Sequence, residues 1–247
     1  MTNKQNFRHE LKYRITQAHK DIMMARLDMF LDRDNNTENG IYQIRSLYFD
    51  DYWNSAYEEK QMGTAVRKKY RIRFYNYSDE LIKLECKHKQ GAYIYKQSAR
   101  LTTEEVRNIL AGNYEILRER KEEVCQTFYY ECVTNFLRPR VIVDYERVPY
   151  VFEPGNVRIT FDYHLQETAL MGDLFDPELP SWSVMKPNEL IMEVKYTQLL
   201  PDFIKDLLTT SEAEYTAASK YVMCCDHKIE RKGILISVSY THLRAHE

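Results

Sequence analysis

Along this chain, charged and apolar positions alternate with a period of two in stretch after stretch. The clearest case is 67–89. Arg67, Lys69, Arg71 and Arg73 fall on one face, with Tyr70, Ile72 and Phe74 on the other. Beyond a turn at 76–79, Lys83, Glu85, Lys87 and Lys89 share a face against Leu84 and Cys86. That pattern predicts two strands joined as a hairpin. The same alternation predicts strands over 7–15, 41–49, 92–101, 140–150, 156–164 and 190–196. Helical spacing predicts a helix capped by Thr16 and running to 33, with Ile22, Met23, Leu27, Phe30 and Leu31 on its apolar stripe. Further helices are expected over 52–59, over 103–110 behind a Thr102/Glu105 capping box, and over 114–136, 201–208 and 212–220. Residues 165–188, rich in Pro, Gly and Asp, are expected to form a long excursion with little regular structure.

A single half-exposed sheet would wet its charged face. At least six strands with the same face change that reading. A closed barrel would turn the apolar faces outward under helices 17–33, 103–110 and 114–136, and the charged faces inward to line a lumen. The expected class is therefore α+β: an antiparallel β-barrel tunnel with a charged lumen, flanked and closed by helices.

Composition narrows the function classes. At 247 residues with 44% apolar side chains, one large domain over 1–237 is expected, with no repeat and no linker. No apolar run reaches the ~18 residues of a membrane span, and the first residues carry no signal-peptide h-region. Net charge is −2, so a globally basic nucleic-acid binder is excluded and any anion site must come from segregated charge. The five cysteines show no CxxC or zinc spacing, and a reduced, cytoplasmic protein is expected. No Gly-rich phosphate loop and no Ser/His/Asp or Cys/His constellation occurs. Enclosed cations are costly unless paired or filled by an anion, and arginine suits bidentate contact with phosphate oxygens. Glu10, Glu85 and Glu193, set among those cations, are what a divalent metal bridging phosphates would need.

Eight short motifs carry a resemblance. They are Glu10-Leu11-Lys12-Tyr13, Ser46-Leu47-Tyr48-Phe49-Asp50, Lys69-Tyr70-Arg71-Ile72-Arg73-Phe74-Tyr75, Leu84-Glu85-Cys86-Lys87, Tyr145-Glu146-Arg147, Arg158-Ile159-Thr160-Phe161-Asp162, Met192-Glu193-Val194-Lys195-Tyr196 and Ser219-Lys220-Tyr221. Together, in this order, they resemble the VTC domain, the polyphosphate polymerase domain of the triphosphate tunnel metalloenzyme superfamily. The resemblance implies a metal-dependent enzyme using Mn2+ or Mg2+ to move the ATP γ-phosphate onto phosphate or a polyphosphate chain. By position it implies that Arg71, Arg73, Arg158 and Lys87 act on the transferring group. Lys12, Lys96, Arg147 and Lys220 would hold phosphates, and Glu193 would hold the metal, with Glu85 and Glu10 ranked behind it. Arg140, seven residues before Arg147, would be structural or lie at the rim, because a regular strand cannot turn both inward.

Blander roles compete: Lys12 with Glu10 as a surface pair, Lys96 as a solvated edge lysine, Lys220 as a helix-end charge, and Cys224-Cys225 as buried filler. A tripolyphosphatase or nucleoside triphosphatase of the same fold, or a non-catalytic polyphosphate-binding module, would share the cationic lumen. Coupling of synthesis to transport would require a separate membrane subunit. Residues 238–247 resemble translated library-adaptor sequence and are expected to contribute nothing to folding or activity.

Overall fold

The computed structural model describes residues 9–34, 37, 39–91, 93–209 and 213–233. The tail at 238–247 and positions 7 and 8 of the first predicted strand lie outside the described residues. In chain order the elements are β1 (His9–Thr16), α1 (Gln17–Leu27), β2 (Asp32–Arg33), β3 (Tyr42–Asp50), α2 (Ser55–Gln61), β4 (Val66–Tyr75), β5 (Ser78–Gln90), β6 (Tyr93–Leu101) and α3 (Thr103–Leu110). They continue with α4 (Glu123–Thr134), β7 (Arg138–Phe152), β8 (Val157–Thr168), β9 (Ser181–Ser183), β10 (Glu189–Tyr196), α5 (Asp202–Leu208), β11 (Glu214–Tyr215) and α6 (Lys220–Arg231).

The strands form one antiparallel sheet in the order β11-β1-β10-β8-β7-β3-β4-β5-β6, with β2 added to β7 and β9 to β8. The expected closed barrel is thus an open one: among the described residues no backbone ladder joins β6 to β1 or β11. Side chains span the seam instead, where Lys87 of β5 meets Glu10 of β1 at 2.8 Å. The central hairpin turns on Asn76 and Tyr77, both with positive φ, the geometry that matches the twist of the flanking strands.

The outward faces are apolar and helix-covered. Leu47, Phe49, Tyr70, Ile72, Phe74 and Leu84 pack against Val106 and Ile109 of α3 and Cys125 and Phe128 of α4. Tyr150, Ile159, Phe161, Met192 and Val194 pack against Met23 and Leu27 of α1 and Ile204 of α5. On the concave side, α6 lays Tyr221, Val222, Cys224 and Cys225 against Ile44, Tyr48, Val141, Val143 and Tyr145. Burying these aliphatic and aromatic side chains is the dominant favourable contribution to folding. No helix among the described residues is long and apolar enough to cross a membrane.

Several expected elements differ. The first helix stops at Leu27, and Ile22 and Phe30 of its expected stripe are exposed. The Asp28 carboxylate takes the Arg33 guanidinium and the Tyr150 hydroxyl, which draws 32–33 out of the helix and onto β7. The segment 114–136 is broken into a 3-10 turn at Glu115–Leu117 and α4. Between them Arg120 ties Glu105, Glu122 and the Arg100 carbonyl together. The helix expected over 212–220 is absent from its described part: β11 pairs with β1, and the closing helix begins only at Lys220. The excursion at 165–188 is more regular than expected. β8 runs on to Thr168 past a bulge where His164 takes a positive φ, and β9 pairs beside it.

Candidate active site

Alternation in β4 and β5 sends Lys69, Arg71, Arg73, Glu85 and Lys87 to the concave side. The register sets Lys69 opposite Lys87 and Arg71 opposite Glu85. Across the seam, β1 and β10 set Lys12 opposite Glu193 and Glu10 opposite Lys195. Arg147 comes from β7, opposite Asp162 of β8. Ser219, Lys220 and Tyr221 complete the wall where α6 begins. These side chains surround a cavity that is open to solvent. Among the described residues, eight cationic side chains and two carboxylates line it.

The charges are networked. Glu193, 4% exposed, receives Lys195 at 2.7 Å, Lys220 at 3.0 Å and Lys12 at 3.2 Å, with Arg147 at 3.8 Å. Burial alone would raise its pKa, but the charges of Lys12, Lys195 and Lys220 hold it well below the usual carboxylate range. Glu10 is held down in the same way by Lys195, Lys87 and Lys12 against the effect of burial. Beneath the cavity, Asp162 accepts both arms of Arg147 at 2.6 Å and takes Lys220 at 2.5 Å. Arg71 is held by Glu85 at 2.6 Å and the Tyr48 hydroxyl at 2.9 Å, and Arg73 by Ser46 and Tyr145. Such anchoring fixes guanidinium groups before a ligand arrives, which lowers the cost of ordering them on binding.

Lys69 stands apart. Among the described residues it has no ion-pair partner. Its ammonium donates to the Ser219 hydroxyl at 3.2 Å and lies 5.8 Å from the Tyr221 ring. Burial lowers its pKa, and Lys87, Lys12 and Arg71 push it further below the ordinary 10.5. Lys87 is depressed to about 8, by burial and by Lys12 and Lys195 against the pull of Glu10. An anion in the cavity would stabilise both ammonium groups. Triphosphate binding should therefore take up protons above pH 8, and affinity should fall as pH rises towards 10.5. Folding stability has the opposite sign. The unfolded chain binds these protons more readily over that window, so the strain of the charged lysines is relieved as pH rises. Calorimetry of triphosphate binding in buffers of different ionisation enthalpy reads the uptake directly, and Lys69→Met should remove a large part of it.

Of the residues singled out in the sequence, Lys12, Arg71, Arg73, Lys87, Arg147, Lys220, Glu193 and Glu10 line the cavity. Three do not. Glu85 is buried behind Arg71 and Lys96. Lys96 is 47% exposed, and Glu85 holds it outside. Arg158 is 40% exposed and bound to Asp34 at 2.8 Å, two pairs along the β8 face from Asp162. Arg140 also stands outside, its carbonyl accepting from Lys228. Lys69 and Lys195 also line the cavity, and their signal in the sequence is the period-two face each shares with Arg71 or Glu193. Tyr48 and Tyr145 carry no such signal, since a tyrosine reads equally as core. Ser219, just ahead of α6, has no local signature at all.

A divalent cation would meet hard oxygen donors here. Glu193 and Glu10 both lie within 3.3 Å of the Lys12 ammonium and so face one point of the cavity. Among the described residues no group of three His, Cys, Asp or Glu side chains forms a complete cage. Mg2+ and its relatives ordinarily bind through one or two carboxylates, with phosphate oxygens and water supplying the rest. The donor set fits that mode.

An antiparallel sheet curled around a cationic cavity, with helices outside and one helix closing it, is the triphosphate tunnel fold. The sequence matches the VTC domain over residues 7–227, and the chain belongs to that family. Among solved structures, the chain is similar to HpAC1 from Hippeastrum, a proposed adenylyl cyclase that reveals a dominant triphosphatase activity. Identity is 14% and TM-score 0.53, over 94% of this chain and 99% of that one. PH1819 from Pyrococcus horikoshii OT3 aligns at 11% identity and TM-score 0.45, over 89% of this chain and 99% of that one. No curated protein sequence matches the chain.

Proposed function

We propose that the chain is a metal-dependent phosphoryl transferase that moves the terminal phosphate of ATP onto phosphate or a growing polyphosphate chain. The observation that carries this reading is the imbalance in the cavity, eight cations against two carboxylates in one solvent-connected space. An array of that kind is costly without a polyanion to fill it. Lys69, Lys87 and Lys12 would contact phosphate oxygens. Arg71, Arg73 and Arg147, preset by their tyrosine and carboxylate partners, would neutralise charge on the transferring group. Glu193 with Glu10 would hold the metal, which would supply positive charge against the triphosphate. Glu85 and Lys96 then serve to orient Arg71, and Arg158 would stand at the rim. Transfer of this type needs positioning and charge neutralisation rather than a protein nucleophile.

The second reading, hydrolysis of a triphosphate with water as acceptor, is favoured by the fold shared with the Hippeastrum protein. Incubation of the purified chain with ATP and Mn2+, with products resolved on a gel, separates the two. Long phosphate chains are expected. Orthophosphate alone would establish the hydrolase, and unchanged ATP with tight polyphosphate binding would leave a binding module.

A further inference from the structure

The cationic face of the central hairpin does not end where the cavity ends. Arg67 and Lys89 are directly opposite each other, one pair beyond Lys69 and Lys87 on the same face. Two residues along a strand place them roughly 6.6 Å further out. Like charges directly opposite destabilise a sheet. Among the described residues neither makes an ion pair. Among the described residues Arg67 donates to the Thr64 carbonyl at 2.5 Å through one of its terminal nitrogens. Lys60, at the end of α2, is a third cation in the same place. Its charge and those of Arg67, Lys89 and Lys12 act on one another. The acids within reach are Glu10, already shared by Lys12 and Lys87, and Glu59, on the Arg67 side.

Lys60 is held there by design of the fold. Asp50 accepts from the Ala56 and Tyr57 backbone amides at the start of α2, and the Tyr57 hydroxyl donates to Asp226 of α6 at 2.5 Å. A short helix held in this way carries Lys60 in its last turn, where its charge acts on Lys69 as well as on Arg67 and Lys89.

We propose that Lys60, Arg67 and Lys89 form a second anion subsite at the mouth, which takes the distal phosphates of a linear polyphosphate longer than triphosphate. The inference rests on the cavity itself holding a triphosphate. A triphosphate seated on Lys69 and Lys87 does not need the outer group, whereas a longer chain leaving the cavity along this face meets it next. The outer subsite therefore makes affinity depend on chain length.

The test measures binding of sodium triphosphate and of a medium-length linear polyphosphate to the full chain, in EDTA at low salt. The wild type is expected to favour the longer chain by about tenfold or more. Lys60→Ala/Lys89→Ala should lose most of that preference while binding triphosphate within about twofold of the wild type. Lys60→Arg/Lys89→Arg should keep the preference. So should Lys186→Ala/Lys232→Ala, which removes equal charge elsewhere. The subsite is overturned if the wild type shows no chain-length preference, if the double alanine variant retains it, or if that variant loses triphosphate affinity by the same factor. Failure of the wild type to bind either ligand would overturn the reading of the cavity as well.

Discussion

Glu193→Gln should reduce metal-dependent turnover by at least about a hundredfold while triphosphate binding in EDTA is retained or tightened. The substitution keeps shape and removes charge, and a neutral amide oxygen is a poor ligand for a hard divalent cation. Binding survives because Lys12, Lys195, Lys220 and Arg147, all within 3.8 Å of Glu193, lose their nearest counter-charge and become freer for phosphate. The same network defines the competing role, in which Glu193 only offsets the repulsion of its neighbours. On that role the variant would be less stable and would bind triphosphate more tightly, yet turn over near normally once bound ligand restored the balance. Thermal stability with and without triphosphate, triphosphate affinity in EDTA, and turnover across a Mn2+ titration separate the roles. Near-normal turnover at saturating Mn2+ would remove Glu193 from the metal site.

The largest effect on stability should come from Asp162, which does not line the cavity. It is 1% exposed and pairs with two cations, Arg147 through both oxygens and Lys220. Asp162→Ala takes the bidentate partner from Arg147 and leaves Glu193 to serve both cations, and breaking a buried pair in this way costs about 3–5 kcal/mol. Chemical denaturation should show the loss, and added triphosphate should recover a larger increment of melting temperature in the variant than in the wild type, because the ligand supplies the missing charge. Acid dependence follows from the direction of the shift. Burial raises the Asp162 pKa, but Arg147 and Lys220 outweigh it and hold the group below its ordinary value. Its contribution to stability is therefore full above that ordinary value and lost as pH falls through the depressed one. A loss of less than about 1 kcal/mol, within the range of an ordinary surface change, would show that the pair is not a keystone of this wall.

What the chain determines locally was legible without coordinates. A period of two in 67–89 and again in 190–196 fixes which side chains share a face, and that placed Arg71, Arg73, Lys87 and Glu193 on one charged surface. The Thr102/Glu105 capping box opens α3 as its spacing requires. Face membership is a property of the pleat and needs no knowledge of neighbouring strands.

Which of those side chains meet was decided only by tertiary structure. Lys96 shares the inward parity of β6, yet Glu85 holds it outside, and Asp34 holds Arg158 away from the cavity. Both partners lie on other segments of the chain. The helix boundaries that failed have the same cause. Asp28 and Arg33 close a turn only because the Tyr150 hydroxyl arrives from β7, and 214–215 becomes a strand only because the edge of β1 is open to it. Even closure of the tunnel is tertiary. Among the described residues the backbone ladder stops at β6, and Lys87 meets Glu10 across the gap, between residues 77 positions apart. Period and propensity act over one or two turns of chain, whereas charge pairing across a lumen acts through space between residues that no local pattern relates.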